Sequence, residues 1–173
     1  MGAAVDTVGR AAARWLDLRP GLGVRPMLVV GRLQRLWVLW DARLRPTFAD
    51  AGLQEGDFDA LAALRRAGTA VAPGELARTM LVTAGATTKR VDRLVEASLA
   101  ERVASANDGR QRLVQLTPEG ARQADRLMTA HLQAQDRLLT PLTPDECQQL
   151  EVLLIKLLAA ADESEQDQSS AAG

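Results

Sequence analysis

Lys89, Arg90 and Arg93 follow a run of small residues, Ala84-Gly85-Ala86, and Arg102, Arg110 and Arg112 come soon after. Cationic groups spaced in this way donate hydrogen bonds to anionic oxygens and to base-edge acceptors. That is the chemistry of phosphate, nucleic-acid or organic-anion recognition. Other chemistries lack their parts. The chain has one histidine, His131, and one cysteine, Cys147. No nucleophile–histidine–acid set, metal-ligand cluster or Gly-rich phosphate loop is spelled out. Neither an enzyme nor a cofactor is expected. Cys147 stands beside Asp145 and Glu146, where a thiolate is disfavoured, so it reads as structural. His131 reads as an unremarkable residue on a polar helix.

The 173 residues are 47% hydrophobic and 25% charged, with a formal net charge of −1, ordinary values for one globular domain. The average hides an asymmetry: residues 73 to 116 carry seven Arg/Lys against five Asp/Glu, whereas residues 143 to 173 carry one Lys against seven acids. A locally basic middle is compatible with a nucleic-acid surface. No apolar stretch approaches the roughly 18 to 20 residues that span a bilayer. Charges interrupt the N-terminal stretch, so no secretory h-region is read there. The lone cysteine fits a reducing compartment. A cytoplasmic protein with no membrane partner is expected.

Val5, Val8, Ala12 and Trp15 recur at helical spacing and predict an amphipathic helix over residues 4–18, stopped at Pro20 and Gly21. A long helix is expected over 25–52, with Val30, Leu33, Trp37, Trp40, Leu44 and Phe48 in one stripe. "EGDFDALAALRRAG" predicts a third helix, and shorter ones follow over 73–80 and 84–97. "TPEG" at 117–120 and "TPDE" at 143–146 each place Thr before Pro and an acid in the first turn, a helix-start signature. From Asp162 the composition predicts a disordered acidic tail, leaving one domain over 1–161. Long helices with wide apolar faces at both ends of the chain predict a symmetric homodimer, with 25–52 and 117–161 as the dimerisation helices.

"PGELARTMLVTAGATTKRVDRL" fits a helix-turn-helix, with Leu81-Val82 as the turn and Thr83 as N-cap of the second helix. If Val91, Leu94 and Val95 face the core, about 100° per residue puts Gly85, Ala86, Lys89 and Arg93 on the far side. Alone, the segment also fits an ordinary helical hairpin with a solvated basic face. "SLAERVA" and "SANDGRQRLVQLT" then add two alternating runs around an Asn-Asp-Gly turn, a β-hairpin. Helix-turn-helix plus hairpin over 54–116 is the winged-helix arrangement, in a mainly α fold. The second helix would enter the major groove of double-stranded DNA while Arg110 and Arg112 reach the minor groove. DNA contact is expected of Thr83, Gly85, Ala86, Thr87, Lys89, Arg93, Arg110 and Arg112.

Through "FDALAALRRAG", "ELARTM", "VTAGATTKRVDRLVEASLAER" and "LVQLTPEG", the chain resembles the MarR family of bacterial transcription regulators over about residues 25 to 160. The resemblance implies a dimeric winged helix that binds a pseudo-palindromic operator, as a repressor. In place of the family's Asp-Arg-Arg wing run stands Asp108-Gly109-Arg110. The extra N-terminal helix resembles the urate-responsive branch. That likeness implies a ligand site from Trp15, Asp59, Arg90 and Arg102, with urate or a similar anion as effector. Trp15 also reads as a packing residue, and an Asp59–arginine pair as a bridge that only fixes the fold. Two alternatives stay open: an organic-acid or phenolic effector, or a winged-helix protein–protein module without DNA binding.

Overall fold

The computed structural model describes residues 6–105 and 112–171. The chain divides into two compact units, Met1–Leu132 and Gln133–Gly173.

The first unit opens with α1 (Thr7–Leu18), whose N-cap Asp6 accepts from the Gly9 amide at 2.7 Å. It lies on α2 (Arg25–Leu44), held by an Asp6–Arg32 ion pair at 2.7 Å. The expected single helix over 25–52 is broken. Pro46 has no amide to donate, and a short α3 (Pro46–Ala49) follows instead. The break turns Phe48 inward, where its ring stacks on Phe58 with centroids 4.6 Å apart.

Next comes α4 (Glu55–Ala67), opened by a capping box in which Gln54 and Asp57 satisfy each other's backbone amides. Gly68, at φ 68°, closes it in the left-handed conformation that glycine adopts without a Cβ penalty. Then α5 (Pro73–Thr79) and α6 (Ala84–Glu96) form the helix-turn-helix. Leu81 in the turn is itself left-handed, φ 53°, and almost wholly exposed.

The hairpin consists of β1 (Ala100–Ala104) and β2 (Arg112–Leu116), antiparallel, with Arg102 opposite Val114. A two-stranded ribbon is marginal in water, and a single residue reinforces this one. Val71 exchanges both backbone hydrogen bonds with Val114, at 2.8 and 2.9 Å, on the other edge of β2. Val114 is fully buried and joins a core of Leu61, Leu64, Leu76, Val91 and Leu94. The wing is thus anchored at its base by main-chain pairing and by burial.

Thr117 caps α7 (Pro118–Leu139): its hydroxyl accepts from the Gly120 amide at 3.0 Å and donates to the Ser98 carbonyl at 2.9 Å. His131, read from sequence as unremarkable on a polar helix, instead packs against the rings of Phe48 and Phe58.

In the second unit, Thr143 and Glu146 cap α8 (Pro144–Ala171) reciprocally. This helix runs to Ala171 rather than ending near 161, so the acidic tail is helical and not the disordered segment expected. After Pro144 no glycine or proline interrupts the sequence up to Ala171, and Ala, Glu, Gln and Leu sustain a helix well. Among the described residues no helix is long and apolar enough to cross a membrane.

Candidate nucleic-acid interface and anion site

The front of α6 is small, polar and open. Thr83 accepts from the Ala86 amide at 3.3 Å through its hydroxyl, fixing the first turn. Gly85 and Lys89 are exposed, Ala86 is half-buried, and a Cβ added at Gly85 would meet nothing within 4 Å. Beside them Ala77, Arg78, Leu81, Val82, Thr83 and Ala86 line a shallow hollow at the helix-turn-helix corner. Arg78, exposed at the end of α5, adds a cation that the sequence reading passed over.

One expected DNA contact is corrected. Thr87 is fully buried, and its hydroxyl donates to the Thr83 carbonyl at 3.1 Å. It shares the inward phase of Val91 and Leu94, four and seven residues on, so it packs on the core and cannot reach a partner molecule. Its neighbour Thr88 is the exposed threonine. Arg93 was expected on the outer face. Its side chain is 39% exposed there, and its Nε donates to Asp57 Oδ1 at 2.8 Å, with Nη2 2.6 Å from the same oxygen. Asp57 lies in phase with Leu61 and Leu64, so a buried carboxylate needing a cation was legible there; which cation was not. The bond to Asp57 raises the Arg93 pKa further, so the guanidinium stays charged. On the wing, Arg112 is exposed opposite Ala104. Arg110, with the rest of 106–111, lies outside the described residues.

Of the four residues assigned to an anion site, the structure brings two together. Arg90 Nη1 lies 3.4 Å from Asp59 Oδ2, with side-chain exposures of 19% and 51%. The guanidinium rests against Gly56 and also points Nη1 at Met80 Sδ, 3.8 Å away. Arg102 is held elsewhere, 2.5 Å from Asp92 Oδ1 on the next face of α6. Trp15 sits on α1 and is 47% exposed. Among the described residues, no hydrogen bond or ion pair joins Arg102 or Trp15 to the Asp59–Arg90 pair.

A helix-turn-helix followed by a two-stranded wing, with the second helix presenting its small, cationic front outward, defines a winged-helix protein. The MarR family model matches residues 51–111. The chain is 34% identical over 143 residues to the HTH-type transcriptional regulator PecS of Dickeya dadantii, covering 82% of this chain and 86% of that one. Among solved structures, apo MarR from E. coli superposes with a TM-score of 0.64 at 32% identity, over 74% of this chain and 95% of that one. A mutant of E. coli MarR complexed with operator DNA gives 0.64 at 30% identity, over 80% and 99%. The chain belongs to the MarR family.

Proposed function

We propose that the protein is a homodimeric transcriptional repressor that binds a pseudo-palindromic DNA operator and releases it when a small planar anion such as urate binds. One observation carries the reading. A single helix, α6, presents Thr83, Gly85, Thr88 and Lys89 outward at its front and holds Arg90 on its flank, beside Asp59. DNA contact and anion binding are then two uses of adjacent faces of one helix. The operator complex of the E. coli relative supports the first use, and PecS, a transcriptional regulator, supports the regulatory role.

An ion pair with a half-exposed acid contributes little stability, so the Asp59–Arg90 contact is readily exchanged for a ligand. A planar oxyanion would accept two parallel hydrogen bonds from Arg90, a better geometry than one carboxylate oxygen at 3.4 Å. Arg102 and Trp15, from the wing base and α1, complete the proposed ligand set. A ligand that shifts Arg90 shifts α6, and DNA is released to the extent that the anion prefers the displaced arrangement. The dimer is supported by exposed apolar faces: Val30, Leu33 and Trp37 on α2, and Ile155 and Leu158 on α8. These side chains are already roughly half-buried, so covering the rest contributes on the order of 1 kcal/mol each, a cumulative drive to pair with a second copy.

The experiment is a gel-shift titration on the DNA upstream of its own gene, with and without urate, at several salt concentrations. Affinity should fall steeply with salt, and urate should lower it further. Absence of a shift at low salt overturns the DNA-binding reading; a shift indifferent to urate overturns only the effector.

A further inference from the structure

We propose that Asp57 and Arg93 are a positioning pair: the buried carboxylate fixes how α6 seats on α4, and Arg93 makes no phosphate contact of its own. The inference rests on the DNA-binding reading above, which it refines.

Asp57 is the buried acid of the described core, 2% exposed. Both of its oxygens are engaged. Oδ2 accepts from the Gln54 amide at 3.1 Å and so caps α4; Oδ1 takes Nε and Nη2 of Arg93 at 2.8 and 2.6 Å. One carboxylate thereby ties the start of α4 to the third turn of α6. The other pairs on α6 differ in kind: Asp59–Arg90 and Asp92–Arg102 each have an acid about half exposed. Exposed pairs break at little cost, whereas a buried charge left unpaired is strongly destabilising. A phosphate that drew Arg93 away would strand Asp57 inside the protein. Lys89, one turn earlier and exposed, carries no such obligation. Arg93 is therefore withdrawn from DNA although it is a cation on the reading helix.

The test compares how operator affinity depends on salt in the parent chain and in Lys89→Ala, Arg93→Met, Asp57→Asn and the double variant Asp57→Leu/Arg93→Met. Each lost phosphate contact flattens the log–log salt slope by about 0.9. Lys89→Ala should show that loss once in each subunit, about 1.8 for the dimer. Arg93→Met should weaken binding roughly tenfold with the slope unchanged, and the double variant should recover most of the affinity, as coupled partners do. Asp57→Asn gives a sign: a positioning pair predicts weaker binding, whereas freeing a phosphate-seeking arginine predicts tighter binding. A flattened slope in Arg93→Met, or tighter binding by Asp57→Asn, overturns the proposal.

Thermal unfolding checks that each variant folds. If Arg93→Met does not, Arg93→Gln, which keeps a hydrogen-bond donor for Asp57 but not the charge, should show the same unchanged slope with weakened affinity, and a flattened slope overturns the proposal. A DNA-free measurement separates this inference from the reading it rests on. The Arg93 Nε–H should exchange slowly with water in the free protein, and fast exchange overturns the pair even if the parent binds no DNA.

Discussion

The Arg90 guanidinium rests so closely on Gly56 that a Cβ at the glycine would stand 2.7 Å from Nε and 2.8 Å from Cζ. The obstacle is the far end of a flexible side chain, so it can yield without disturbing the backbone. Gly56 also lies within α4, where alanine is favoured over glycine by up to about 1 kcal/mol. Gly56→Ala should therefore leave thermal stability unchanged or slightly raised while dislodging Arg90 from Asp59. We expect operator binding to survive and the response to urate to weaken by roughly tenfold, the scale of one lost charge-assisted contact. Melting curves and gel shifts with and without urate check this. An unchanged urate response would mean that Arg90 does not need its seat on Gly56.

Thr87 and Thr88 are sequence neighbours with opposite tasks. Thr87 is buried with its hydroxyl on the Thr83 carbonyl; Thr88 is exposed at the front of α6. Thr87→Val keeps the shape and loses the hydrogen bond, a cost of about 0.5–1.5 kcal/mol, visible in urea unfolding. Thr88→Val should unfold like the parent but bind operator several-fold more weakly. Reversed effects would put the wrong threonine inside.

The helix starts were legible because they are local. Pro73, Thr83, Thr117-Pro118 and Thr143-Pro144 announce themselves through caps and missing amides, and the structure begins its helices there. Pro46 carries the same kind of signal, but the apolar stripe from Val30 to Phe48 continues across it and hides the break. Thr87 was also legible, since its spacing to Val91 and Leu94 marks the core face. The Val71 bridge was not. A single bridging residue leaves no alternation, and only its pairing with Val114 ties it to the hairpin. Ion-pair partners were equally hidden. Arg93 looks outward on a helical wheel, and only the packing of α4 on α6 brings Asp57 within its reach. The tail misled through composition: acidity argued for disorder, while helix propensity prevailed to Ala171.

Gly120 joins the wing to α7 by having no side chain. A Cβ there would lie 1.8 Å from the Leu99 carbonyl oxygen, and that oxygen is backbone, already accepting from the Thr117 amide at 3.1 Å. It cannot move aside without disturbing the residue that leads into β1. Gly120→Ala should cost about 1–3 kcal/mol, the usual penalty of overpacking, despite alanine's better helix propensity. A lowered urea midpoint with unchanged slope is the expected result. A stabilised variant would contradict the close approach.

Arg65 and Asp125 link α4 to α7 through two parallel hydrogen bonds, Nε to Oδ1 at 2.8 Å and Nη2 to Oδ2 at 3.0 Å. The bond from Arg65 holds the Asp125 carboxyl below its usual 3.8, outweighing the slight desolvation that would raise it. A carboxyl whose folded pKa is depressed favours the fold above its unfolded value. That contribution fades as pH falls through the folded value, where both states are protonated. The pair is exposed, so the effect is small and salt weakens it further. Carboxyl titration by NMR should find the Asp125 midpoint below 3.8 in the parent and moved back toward that value in Arg65→Gln. Any stability difference between the two proteins should be present at neutral pH, shrink with added salt and vanish in strong acid. An Asp125 midpoint that ignores the substitution would show that the two side chains do not hold this geometry in solution.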